Sequence, residues 1–177
     1  MSSEFRSAAA DLLSSPAVRL GDCIGVSHSV RIMASSLSVN GESQATTGAC
    51  VAIAPCYAGL HSVIALLCHD HGDWAIEMFG SSTDRAERPG RLMRLEVRWR
   101  GIALIGGHIG NGLGLEVLMP DGKEFRAVPD GHYAIVRVPW TESIAQIRVS
   151  IDAHPVGLGE DWGFSVRSSA SRRPASG

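Results

Sequence analysis

Polar and apolar residues alternate with a period of two through most of this chain, which is the signature of half-buried strands. From Cys23 to Met33, Ile24, Val26, His28, Val30 and Ile32 share one face and Gly25, Ser27, Ser29 and Arg31 the other. Asn40-Gly41 marks a tight turn, and Ala49 to Ala54 is a second apolar run closed by Pro55. Ser62–Cys68 and Trp74–Phe79 flank the polar connector His69-Asp70-His71-Gly72-Asp73 and predict a hairpin. In Leu92–Arg100, Met93, Leu95, Val97 and Trp99 point one way and Arg94, Glu96, Arg98 and Arg100 the other, so Trp99 is expected on the buried face. Gly106 to Gly114 reads as a glycine-rich link. Leu115–Met119, Glu124–Val128 and Tyr133–Val138 follow as strands, separated by Pro120-Asp121-Gly122 and Pro129-Asp130-Gly131 turns. Ile147, Val149 and Ile151 mark another strand, and Phe164–Arg167 closes the set.

Helical spacing shows only at the start. Phe5, Ala8, Ala9, Leu12 and Leu13 share a helix face, and Pro16 stops it. The expected organisation is a helical arm over 1–16, a β domain over 17–168 and a disordered tail over 169–177. The fold class is all-β, a β-sandwich of about nine or ten short antiparallel strands with a short N-terminal helix. No βαβ alternation is visible, which argues against a doubly wound nucleotide fold.

Composition narrows the function classes. The chain has 177 residues, 45% hydrophobic and 19% charged, with a formal charge of −2, so a folded domain is expected and duplex nucleic acid is a poor partner. No run approaches the ~20 apolar residues of a membrane span. No secretory leader is visible at the N-terminus. The four cysteines lack CxxC spacing, and the chain is expected to be cytoplasmic with reduced, buried thiols. Fifteen of the sixteen basic residues are Arg, and Arg85, Arg88, Arg91, Arg94, Arg98 and Arg100 cluster within residues 85–100. A guanidinium row at Arg94, Arg98 and Arg100 offers a binding face, with Trp140 as an aromatic anchor or a lid on the core.

The candidate chemistry is sparse. His69-x-His71, Glu77 and Pro129-x-Gly131-His132 are similar to the cupin pattern of metal ligands, and imply a divalent transition metal held by His69, His71, Glu77 and His132. The Glu comes one or two residues later than in that pattern, and the third His follows its Gly directly. Cys56 with His61 or His69 is a nucleophile–base pair by proximity in sequence only. The glycine-rich stretch fits neither the phosphate-loop nor the dinucleotide spacing. His28 reads as a core histidine.

Arg94-Leu95-Glu96-Val97-Arg98-Trp99, Leu115-Glu116-Val117-Leu118 and Phe125 through Val136 resemble the second half of the ComJ-like competence proteins. There a strand, a hairpin and a P-x-G-x-Y turn, here Pro129-Asp130-Gly131-His132-Tyr133, run into an apolar strand. Ile24-Gly25-Val26-Ser27-His28-Ser29 is similar to that family's first strand, so the resemblance spans residues 22–167. It implies a small β domain that binds and inhibits a partner such as a nuclease, with no catalysis and no cofactor of its own. The leading expectation is therefore a non-enzymatic module for a protein partner, of inhibitor or immunity type. The alternatives are a metal-dependent cupin-like enzyme and an RNA or anionic-ligand binder.

Overall fold

The computed structural model describes residues 2–20, 29–39, 45–56, 59–84, 91–111, 113–127, 129–150 and 154–156. The Cys23–His28 part of the expected Cys23–Met33 strand, the Asn40-Gly41 turn, Arg85, Arg88, the Phe164–Arg167 strand and the tail lie outside them. The elements are α1 (Ser2–Leu13), β1 (Arg31–Val39), β2 (Thr46–Cys56), β3 (Gly59–Asp70), β4 (Asp73–Asp84), β5 (Arg91–Val97), β6 (Ile102–His108), β7 (Gly114–Leu118), β8 (Glu124–Ala127), β9 (Tyr133–Pro139), β10 (Gln146–Ser150) and β11 (His154–Val156).

These eleven strands form three antiparallel sheets: β1-β2-β3-β4, β5-β6-β9 and β11-β10-β7-β8. The all-β, sandwich-like class is as expected, with three stacked sheets and α1 as a fourth layer. Strand parity builds this arrangement. On β3, Val63, Ala65 and Leu67 pack under α1, while Ile64 and Leu66 face the second sheet. On β9, Tyr133 and Ile135 face the first sheet, while Ala134, Val136 and Val138 face the third. Strands covered on both faces carry apolar residues at both parities, which is why Ser62–Cys68 reads as an unbroken run. The third sheet ends the stack. Its inner Leu115 and Val117 are fully buried, and its outer face carries Glu116–Arg126 (3.1 Å) and Glu124–Arg126 (3.2 Å) ion pairs.

α1 buries Phe5, Ala9 and Leu13, one per turn, against Cys50, Ala52, Ala54, Val63, Ala65 and Leu67. A Cβ on Gly48 would sit 2.1 Å from the Phe5 ring, so the absent side chain is what admits the helix. Arg6 fastens α1 further, with an ion pair to Asp130 and a 2.7 Å bond to the Ile32 carbonyl.

Four local expectations change. Gly106 and Gly107 belong to β6, and the link is shorter than the glycine-rich stretch suggested. At Gly106 a Cβ would meet the Ala134 carbonyl and Val51 Cγ2, both at 2.7 Å, so glycine lets the two sheets close. β2 runs through Pro55 to Cys56, because β1 begins opposite Ile53 and leaves Pro55 with a neighbouring strand on one side only. β1 extends through the serine-rich segment to Val39, a half-buried edge that alternation did not reveal. The Leu92–Arg100 strand ends at Val97, and Arg98–Arg100 form a 3-10 turn closed by Gly101 at φ 65°.

Candidate protein-binding site

The β5–β6 turn gathers Arg98, Trp99 and Arg100, with Arg94, Glu96, Glu77 and Trp140 around them. Val97 is the last residue on the alternating face, and the turn then swings Trp99 outward to 61% exposure. The expectation of a buried Trp99 is therefore corrected. The physical cause is the hairpin: once the strand stops, parity no longer governs where side chains point.

Two carboxylates organise the turn. Glu96 on β5 accepts from Arg98 Nε (3.1 Å) and Nη2 (2.9 Å) and pairs with Arg94 Nη2 (3.0 Å). Arg94 also donates to the Thr141 carbonyl (2.7 Å), and the Arg98 guanidinium lies over the Trp140 ring at 4.9 Å. The Trp140 backbone N–H donates to the Gly101 carbonyl (2.8 Å), which keeps that ring beside the turn. Partial burial acts to raise the Glu96 carboxyl. The Arg98 hydrogen bond, the Arg94 charge and the nearby Trp140 indole outweigh it and hold the group below its ordinary value.

The second carboxylate is Glu77. Leu66 pairs with Met78 and Leu67 with Ile76, so Glu77 is the extra residue of a β-bulge in β4. Its Oε2 accepts from Arg100 Nε (2.6 Å) and its Oε1 from Trp99 Nε1 (3.3 Å). The Glu77 hydrogen bond raises the Arg100 guanidinium above its ordinary value, so Arg100 is firmly cationic.

Arg94, Arg98 and Arg100 thus do not form one outward row. Arg94 and Arg98 converge on Glu96 beside Trp140, while Arg100 turns to Glu77 on another sheet. Behind Arg100, Arg137 on β9 carries a mostly buried guanidinium, pushed down to about 10 by burial and by the Arg100 charge. Sequence reasoning missed Arg137 and the exposure of Trp99. The clue to Arg137 was a lone Arg inside the apolar run Tyr133–Val138.

The ligands of the alternative metal reading lie apart from one another in the structure. His69 lies on the α1 side of the first sheet with its ring 5.0 Å from Trp74. His71 is in the turn beyond β3, with its side chain 94% exposed. Glu77 faces Trp99 and Arg100, and His132 stacks on His108 at 5.6 Å. The i, i+2 argument fails because β3 ends between the two histidines. Among the described residues, no three His, Cys, Asp or Glu side chains form a metal-holding group. No described helix is long and apolar enough to cross a membrane. The Cys56 side chain lies outside the described residues.

Comparison with protein-family models, with curated proteins and with solved structures returned no match to this chain.

Proposed function

We propose that this chain is a non-enzymatic binding module for a protein partner, of the inhibitor or immunity type that its resemblance to the ComJ-like proteins implies. The contact face is the β5–β6 turn, with Arg98, Trp99 and Arg100 at its centre and Arg94 and Trp140 at its side. The observation that carries this reading is an indole at 61% exposure that is nonetheless held in place by a hydrogen bond to Glu77. A large exposed apolar side chain gains contact area on binding, an orienting hydrogen bond lowers the entropic cost of that contact, and Trp and Arg dominate binding hot spots. The free thiols of Cys50 and Cys68 suit a reducing compartment, and we place the protein in the cytoplasm.

Affinity capture from the source cell, with wild type and Trp99→Ala in parallel, tests this reading. Trp99 is exposed, so its removal should leave the fold intact. A single stoichiometric protein retained by wild type and lost with the variant is the expected outcome. Identical recoveries with both, or no stoichiometric protein with either, would overturn it.

A further inference from the structure

We infer that the partner presents an acidic segment to this turn, with carboxylates on Arg98 and Arg100 and an apolar side chain against Trp99. This rests on the turn being the contact face, and adds the chemistry of what it contacts. Three arginines and two glutamates make the cluster almost neutral, but they are not at equal depth. Arg98 is 68% exposed where its partner Glu96 is 34%, and Arg100 is 34% exposed where its partner Glu77 is 18%, while Arg94, at 19%, lies deeper than Glu96. The bulge in β4 sets Glu77 beneath the turn, and Glu96 lies on the strand behind it. An approaching molecule therefore meets guanidinium and indole first, with their counter-charges recessed.

The donor count agrees. Arg98 spends Nε and Nη2 on Glu96, and Arg100 spends Nε on Glu77. Among the described residues no acceptor takes Arg98 Nη1 or the Arg100 terminal nitrogens, so they offer donors to incoming oxygens in an orientation the two glutamates have already set. Charge-assisted bonds of this kind are the stronger class, and prepaid orientation lowers the cost of forming them. Trp99 stands between the two guanidiniums in sequence and offers an apolar surface there.

The same arithmetic disfavours RNA. Affinity for a polyphosphate grows with the number of phosphates neutralised, and here one net positive charge sits on a chain of formal charge −2. An acidic segment needs only one carboxylate for each of Arg98 and Arg100, with an apolar residue between them, and so relies on two local charge-assisted contacts rather than on a long charged track.

The test uses the full-length, 15N-labelled chain and the indole N–H resonance of Trp99, identified by its loss in Trp99→Phe. The probes are the peptide Glu-Glu-Leu-Glu-Glu, its amide counterpart Gln-Gln-Leu-Gln-Gln, and a single-stranded uridine decamer. The expected result is a saturable shift with the acidic peptide and at least fivefold weaker binding of the amide peptide. Arg98→Gln and Arg100→Gln should each weaken the acidic peptide at least fivefold, with the remaining spectrum unchanged. Equal response to both peptides, response to the RNA alone, or no response would overturn the inference. The underlying reading is judged separately. A captured partner that depends on Trp99 but survives both Arg→Gln changes would refute the acidic segment and leave the binding face standing. The absence of any Trp99-dependent partner would refute the binding face itself.

Discussion

Arg137 on β9 reaches from the second sheet to the first and grips Thr47 on β2 twice, Nη1 to Oγ1 at 2.6 Å and Nη2 to the carbonyl at 2.8 Å. The same Nη2 donates to the Ser36 carbonyl of β1 at 3.1 Å. One guanidinium thus joins three strands across the space between two sheets, at the polar end of a core otherwise built from Ala49, Val51, Ile64, Leu66 and Ile135.

Removing that grip should cost stability. In Arg137→Met the side chain keeps its length, but the Thr47 and Ser36 oxygens lose their donor. The expected loss is about 1–3 kcal/mol, the usual cost of leaving buried polar groups unpaired. Urea denaturation followed by far-UV circular dichroism measures it. An unchanged midpoint would mean that water replaces the guanidinium without penalty.

Gly48→Ala should loosen α1 while sparing the sheets. The added Cβ falls on the Phe5 ring, which is fully buried, so either the ring or the helix must move. Overpacking of this kind costs roughly 1–3 kcal/mol. Limited proteolysis should show faster cleavage between residues 14 and 20, at the junction behind the helix. Wild-type cleavage rates would show that α1 absorbs the methyl.

The β3–β4 hairpin carries a conformational cost that can be relieved. His71 and Gly72 have φ of 51° and 95°, positive at both central positions as in a type I′ turn. Asn tolerates that conformation better than His, so His71→Asn should raise stability by a few tenths of a kcal/mol, up to about 1. A thermal melt reads the change. A marked loss of stability instead would show that the imidazole makes a contact the turn depends on.

Acid should release the Glu96 network. The folded carboxyl sits below its ordinary value, so its contribution is fully present above the unfolded value of about 4.3 and disappears as pH falls through the folded one. The stability difference between wild type and Glu96→Gln should therefore be constant near neutrality and shrink below about pH 4.3. Because Glu96 is partly exposed, salt should shrink it as well. Denaturation midpoints of both proteins from pH 7 to pH 3 decide the point, and parallel curves throughout would contradict it.

Much of this architecture is legible in local pattern. The helix face at Phe5, Ala9 and Leu13, the Pro120-Asp121-Gly122 and Pro129-Asp130-Gly131 turns, and the strands around Leu95, Val117 and Val136 all follow from spacing alone. The Arg-bearing segment was legible as a surface, but its shape was not. Extending the alternation two residues past Val97 puts Trp99 in the core, whereas the hairpin places it in water. The cupin-like pattern offers His69, His71, Glu77 and His132 as an alternative ligand set, but strand ends and sheet faces keep them apart.

The sequence by itself determined the cores of most strands and the alternation of side chains along them, because side-chain direction within one strand depends only on neighbours in the chain, but not where several of those strands end. Only the tertiary structure decided that β6 pairs with β9 and β7 with β10, that the sheets stack three deep, and that Glu77 bulges beneath Trp99. Those outcomes depend on contacts between segments far apart in sequence, where register and facing strand are chosen by what can be buried together. The binding face proposed here belongs to that second kind, since its exposed indole comes from β5–β6 and the carboxylate that steadies it comes from β4.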